Sequence, residues 1–342
     1  MRQGTNPAKK QILSQDAYLH QVIVPVYLPH AEGYFKDGLR VLQSCMDSLV
    51  KTAHKKTFIS VVNNGSSLEV VEYLQDLFSK GGIQELIHTD NIGKNNAILK
   101  ALSGHYFDYI TIADADVLFL NHWQEATMKV FKAFSKAGVV GLTPQIKLYA
   151  DLSYNVLFDK FFSKKLRFVA VKNPQAIKEF LRSIGWDESY NQDYLKQHLM
   201  IEDKTGFKAV IGSGHYVATY KREALGYVSK EQIRQPLSPK FDRELLDKPG
   251  MRVGSWRLTT EDNYAYHMGN VFEPWMDEVL DGIQQFEGEI PSYSYKPLTA
   301  SFVSYFLKSH IFRKLVENKQ FINWFIKFKG LPKAMNKTPW HE

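Results

Sequence analysis

Short β-branched runs that stop at polar residues constrain this chain more than any other feature. The first is Val22-Ile23-Val24-Pro25-Val26. Thr57 to Val62 is the second and ends at Asn63-Asn64-Gly65-Ser66, a turn signal. Glu85 to His88 is a shorter third, and Tyr109 to Ala113 a fourth that ends at Asp114. Between them, apolar residues recur with helical spacing in Leu39–Val50, Leu68–Phe78 and Lys94–Leu102. This βαβαβαβ order predicts an α/β protein with a Rossmann-like, mostly parallel, doubly wound sheet flanked by helices. Such sheets bind ligands beyond the carboxyl ends of their strands. The polar clusters fall on that edge.

Further along, the pattern predicts a helix over Gln124–Ala137 and a strand over Ala137–Leu142, closed by Thr143-Pro144. Residues 150–208 read as an insertion that shapes an acceptor side, with a helix over Pro174–Ile184 and an aromatic-rich loop around Trp186. Strand segments follow at Lys208–Gly212 and His215–Tyr220, around a Gly-Ser-Gly turn, and extended stretches within Arg252–His267. From residue 291 the character changes. Phe302 to Phe328 interleaves large apolar residues with Lys308, Arg313, Lys314, Lys319 and Lys327, as basic amphipathic helices do. The chain thus divides into a flexible N-terminus (1–17), a catalytic domain (18–290, halves 18–145 and 146–290) and a basic helical extension (291–342).

Charge sharpens that division. Residues 296–342 hold nine Lys/Arg against two Asp/Glu, which accounts for the whole net charge of +7. Positive charge confined to the tail argues against a nucleic-acid partner. It suits either peripheral contact of residues 296–342 with an anionic membrane or packing on the catalytic domain or a second subunit. Oligomerisation is left open. The single cysteine, Cys45, allows no internal disulfide. Met1–Asp16 lacks the apolar core of a signal peptide. Cytoplasmic residence, at most peripheral at the inner face of the membrane, is the expectation.

The residues that carry chemistry begin with Ile110-Thr111-Ile112-Ala113-Asp114-Ala115-Asp116. Two carboxylates at i, i+2 on a strand end suit a hard divalent cation and the ligand it bridges. Three segments sit where the same site would need them. Val24-Pro25-Val26-Tyr27 offers an aromatic ring, and Asn63-Asn64 offers amide donors and acceptors. Asp90-Asn91-Ile92-Gly93-Lys94 precedes a helix whose N-terminus attracts phosphate. Each also has an ordinary reading as a strand end, a turn or a helix cap.

Together, Pro25-Val26-Tyr27, Asn63-Asn64-Gly65-Ser66, Asn91-Ile92-Gly93-Lys94 and Asp114-Ala115-Asp116 resemble, in that order, the nucleotide-binding half of family 2 glycosyltransferases of the GT-A fold. The resemblance covers residues 20–145 well and 205–270 loosely. It departs at the second motif, where Asn stands for Asp. It implies a nucleotide site built from Pro25, Tyr27, Asn63, Asn64, Asn91, Lys94, Asp114 and Ala115, with Tyr27 and Asn64 at the base. It implies Mn²⁺ or Mg²⁺ held by Asp116 and by His267, the late histidine of Tyr264-Ala265-Tyr266-His267. It implies acceptor contact near Gly214 and His215. Inverting members use a carboxylate base, and the acidic positions before Gly250 make Asp242 the first candidate and Glu244 the second. Glu261-Asp262 is a literal acidic pair, but it lies too near His267 for the intervening helix. The implied activity is sugar transfer from a nucleotide diphosphate donor, UDP favoured, to a glycan or lipid-linked hydroxyl in cell-surface polysaccharide synthesis. The alternative is a GT-A-like scaffold that binds nucleotide-sugar without turnover.

Overall fold

The computed structural model describes residues 17–186, 190, 192–225, 243–293, 295–299 and 302–330. Its first half follows the expected alternation. Strands β1 (His20–Val26), β2 (Thr57–Asn64), β3 (Glu85–Thr89) and β4 (Tyr109–Ala113) are parallel, in the order β3-β2-β1-β4. Helices α1 (Gly38–Thr52), α2 (Leu68–Ser79) and α3 (Lys94–Leu102) connect them.

β1 is buried along its whole length. Period-2 alternation sends Val22, Val24 and Val26 to one face, into a cluster with Val41, Leu42, Met46 and Leu49 of α1. Ile23 faces the other way, into a cluster with Ala97, Ile98 and Ala101 of α3. Helices therefore cover both faces, and a near-continuous apolar strand is the sequence such a position requires.

The chain runs from β1 to β2 and β3 on one side, then returns to place β4 on the other. The β1–β4 ladder stops at Ile23↔Ile112, whereas the β1–β2 ladder continues to Val26↔Asn63. Pro25 lies beyond the point where β4 parts from β1. A residue with no N–H costs nothing on an edge left free of partners. The two strand ends diverge there and open a crevice at the topological switch point.

After β4 come β5 (Val117–Phe119), α4 (Trp123–Ala133) and β6 (Ala137–Gly141). α4 ends four residues before the expected Ala137, because a short turn must precede β6. β7 (Leu166–Ala170), β8 (Gln197–Glu202), β9 (Lys208–Ile211), β10 (Val217–Lys221) and β11 (Trp256–Thr260) extend the sheet to ten strands, β3-β2-β1-β4-β10-β6-β11-β9-β8-β7. β10 inserts antiparallel between β4 and β6, and β7 to β9 form an antiparallel outer meander. The expected insertion supplies β7, β8, α5 (Tyr154–Asp159) and α6 (Pro174–Ser183). A separate two-stranded ladder joins β5 to β12 (Ala265–His267).

At the opposite edge of the sheet a buried polar chain ties the C-terminal half down. Tyr293 Oη lies 3.0 Å from His20 Nδ1 and 2.7 Å from His54 Nε2, and Gln124 Nε2 lies 3.0 Å from His20 Nδ1. Beyond it, residues 302–317 form a run of α- and π-helical turns, and a helix spans Lys319–Phe328. Both pack on α5 and the loop after it. Among the described residues no helix is long and apolar enough to cross a membrane.

Candidate functional site

A cavity of about 320 Å³ occupies the switch-point crevice. Its walls are the ends of β1 and β4, the N-terminus of α3, and a late loop at Gly269 and Asn270. The structure brings Pro25, Tyr27, Asn64, Asn91, Lys94, Asp114, Ala115 and Asp116 to its lining. Sequence reasoning missed Tyr34 and Phe35, on a 3₁₀ turn (Gly33–Phe35), which line it as well. Tyr27, Tyr34 and Phe35 pack edge to face, with centroids 6.0 Å apart for Tyr27–Phe35 and 5.2 Å for Tyr34–Phe35. Tyr34 is 70% exposed, so one wall of the cavity is an open aromatic surface.

The two asparagines of the second motif do different things, because successive residues on a strand face opposite sides. Asn63 points away from the cavity. Its Oδ1 accepts from Ser66 N at 3.0 Å, and its Nδ2 lies 3.0 Å from His88 Nδ1. Asn64 faces the cavity, yet most of its amide is engaged. Oδ1 accepts from Ile92 N at 2.9 Å, and Nδ2 donates to Asn91 Oδ1 at 3.3 Å. Asn91 Oδ1 accepts from Gly93 N at 3.1 Å in turn. Asn64 thereby shapes the loop that starts α3. Gly65 permits the close approach: it has φ +85°, and a Cβ there would stand 2.9 Å from Asn91 N.

Lys94, the first residue of α3, forms an ion pair with Asp114. Asp116 is the more unusual carboxylate. Its Oδ1 is buried and has no hydrogen-bond partner among the described residues. Burial pushes its pKa up, and the neighbouring His267 pulls it back down. His267 reaches it through the β5–β12 ladder, which pairs His267 with Val117 and is extended by Met268 N donating to Asp116 O at 2.8 Å. His267 Nε2 stands 3.4 Å from Asp116 Oδ2.

Ser183, which sequence reasoning missed, decides what that nitrogen is. Its Oγ donates its one hydrogen to Phe180 O at 2.7 Å. Towards His267 Nδ1, 2.9 Å away, it has only lone pairs to offer. Nδ1 is therefore the donor to Ser183, and Nε2 is the nitrogen turned toward Asp116. Nε2 and the Asp116 carboxylate face one another, with Oδ1 unpartnered among the described residues, and electrostatics favours a positive charge there, carried by a proton or by a cation.

The acceptor-side residues lie outside this cavity. Gly212, at φ +96°, would place a Cβ 2.2 Å from Leu148 O, and a Cβ on Gly214 would fall 2.5 Å from Gln145 Nε2. The tight turn is thus demanded by packing on residues 145–148. A buried ion pair secures it: Arg257 Nη1 meets Asp247 Oδ1 at 2.6 Å, and Arg257 Nη2 donates to Ser213 O at 2.7 Å. His215 Nδ1 stands 3.8 Å from Asp247 Oδ2. Glu244 sits on a π-helical turn (Arg243–Asp247), pairs with Lys248, and lines a different cavity with Tyr305 and Arg313. Asp242 lies outside the described residues.

Residues 22–181 match the family described as Glycosyl transferase family 2. A curated relative, Glycosyltransferase GlyA of Streptococcus pneumoniae serotype 4 (strain ATCC BAA-334 / TIGR4), is 22% identical over 243 residues. The match takes in 68% of this chain but spans only 34% of that relative's length. Among solved structures, S. aureus TarS 1-349 is 12% identical with a TM-score of 0.41, covering 77% of this chain and 69% of that one. The mannosyltransferase PcManGT from Pyrobaculum calidifontis, solved in complex with GDP-Man and Mn²⁺, is 17% identical with a TM-score of 0.31, covering 52% and 49%.

Proposed function

We propose, from the match of residues 22–181 to the family described as Glycosyl transferase family 2, that this chain moves a sugar from a nucleoside diphosphate donor to a hydroxyl acceptor. The observation that carries the reading is the switch-point cavity, which joins an aromatic wall, a helix N-terminus and Asp116, with His267 outside the lining but 3.4 Å from that carboxylate. Tyr27 and Tyr34 offer faces on which a base stacks. Asp114 and Ala115 lie where the ribose and diphosphate pass. The N-terminus of α3, with Lys94, draws the diphosphate through partial positive charge and an ammonium. As the donor enters, Lys94 shifts its charge from Asp114 toward phosphate oxygens.

Asp116 and His267 have the chemistry to hold Mn²⁺ or Mg²⁺: a hard carboxylate oxygen with no partner among the described residues, and an imidazole nitrogen turned toward it. Held by Asp116 and His267, such a cation would supply neutralisation of charge on the departing diphosphate. In the inverting reaction a carboxylate takes the acceptor's proton as the hydroxyl attacks the anomeric carbon. Asp242 is the first candidate and Glu244 the second. Gly214 and His215 border the acceptor side. A UDP-sugar is the favoured donor, and a glycan or lipid-linked hydroxyl in cell-surface polysaccharide synthesis the favoured acceptor.

A panel of UDP-, dTDP- and GDP-sugars with Mn²⁺, followed by nucleotide release, tests the reading. Donor hydrolysis or transfer that disappears in Asp116→Ala supports it. Absence of binding and turnover for every donor refutes it. The position of Glu244 in a separate cavity favours a second reading, a scaffold that binds nucleotide-sugar without turnover. Donor binding with no transfer to any acceptor would select it.

A further inference from the structure

The helices of residues 302–330 pack on one side only. Phe312 is buried, with its ring 5.2 Å from Phe158 and 6.0 Å from Phe161. Phe325 is buried 5.0 Å from Phe161, and Lys308 pairs with Asp159 at 2.7 Å. Lys329 Nζ donates to Ser163 O at 3.0 Å. Among the described residues nothing covers the opposite side. Leu307, Ile311 and Leu315 are exposed at i, i+4 steps, with Phe302 and Phe306 beside them. Trp324 and Phe328 stack 5.7 Å apart and are both half exposed. The supporting loop adds Phe162, which is 87% exposed.

One exposed apolar side chain needs no explanation, but a stripe continued across two elements does. The charges around it identify the partner. Lys164, Lys314, Lys319 and Lys327 are exposed and have no ion pair among the described residues. The carboxylates of the same region are already engaged: Glu317 with Arg313 at 3.2 Å, Asp151 with Arg243 at 2.9 Å, and Asp159 with Lys136 and Lys308. Aromatic residues flanked by unpaired lysines match a lipid interface, where rings enter the acyl boundary and ammonium groups remain among anionic headgroups.

We propose that residues 302–330 and the loop 160–165 after α5 together form a face that docks on an anionic bilayer without crossing it. The proposal is independent of nucleotide-sugar chemistry and is tested without a donor. The full 342-residue chain is floated with vesicles of phosphatidylcholine alone and of phosphatidylcholine mixed equally with phosphatidylglycerol. Binding is expected only to the mixed vesicles and is lost in high salt. Lys319→Glu and Lys327→Glu each weaken it by about fivefold or more. Phe162→Ser and Trp324→Ser weaken it as well, and circular dichroism on these exposed-site variants confirms that the fold is kept. Failure to bind either vesicle overturns the proposal. So does unchanged flotation of the F162S/W324S double variant. A dimer that the double variant dissolves, with no vesicle binding, assigns the face to a second copy of the chain instead.

Discussion

Replacing Ser183 by alanine is the most discriminating perturbation of the candidate site. Ser183 is not among the residues that line the cavity. Its Oγ lies 2.9 Å from His267 Nδ1 and, as the acceptor there, turns Nε2 toward Asp116. In Ser183→Ala the ring has two choices. It can keep the proton on Nδ1, now without an acceptor, at a cost of about 1–3 kcal/mol. Or it can move the proton to Nε2 and lose the lone pair that faces Asp116. Both destabilise the cation-binding form. Loss of such an outer partner typically weakens a metal site about 10–100-fold, which corresponds to about 1.4–2.8 kcal/mol. Titration of Mn²⁺ in the presence of UDP, read by the electron paramagnetic resonance of the free ion, measures the affinity without turnover. Ser183→Thr retains the hydroxyl and restores binding. If Ser183→Ala holds Mn²⁺ as tightly as the parent chain, the tautomer argument is wrong, and with it the assignment of His267 as a ligand.

Tyr34→Ala removes an exposed face of the aromatic wall and is expected to weaken nucleotide binding by about 5–150-fold, the range of one base–aromatic stack. Fluorescence titration with UDP reads it, and unchanged affinity places the base elsewhere. Arg257→Met strands Asp247 in a buried site and is expected to cost about 3–5 kcal/mol in urea unfolding, whereas R257M combined with Asp247→Leu recovers most of it. A double variant as unstable as the single one would show that the pair does not act as a unit. Burial holds His20 well below the ordinary histidine pKa, with His54 adding to the effect, and burial holds His54 down at about 4. The unfolded chain takes up these protons near pH 6.5, so stability is fully present above that value and falls as the pH drops towards about 4. A urea midpoint that stays flat across this window refutes the linkage.

Much of the nucleotide-facing half was legible because local and tertiary demands coincide there. A β-branched run such as Val22–Val26 is both a good strand and the only kind of strand that helices can cover on both faces. Its observed bounds, His20–Val26, differ by two residues. Tyr109–Ala113 was placed to the residue, since the carboxylates that end it cannot continue into the core. The asparagine pair was half legible. Alternation along β2 allows only one of Asn63 and Asn64 to face the cavity, a rule available from the sequence alone. Ser183 was not legible, because its role depends on a helix in the insertion meeting a strand 84 residues later. Tyr34 and Phe35 sit on a single 3₁₀ turn that leaves no periodic trace, although a Gly-aromatic-aromatic step just after a candidate strand end was a usable signal. Asp247 and Arg257 were hidden for a similar reason: a charge pair this buried is recognisable only once both partners are folded together.

The three-residue ladder between β5 and β12 has a consequence for how the protein comes into being. A ribosome releases the chain from its N-terminus, so the aromatic wall, the α3 loop and both aspartates emerge long before residue 267. Until β12 arrives to pair with Val117–Phe119, Asp116 has no imidazole beside it. An emerging chain can therefore hold most of the cavity wall while still lacking both the histidine and the Gly269–Asn270 loop, so the site is completed late in synthesis by one short segment.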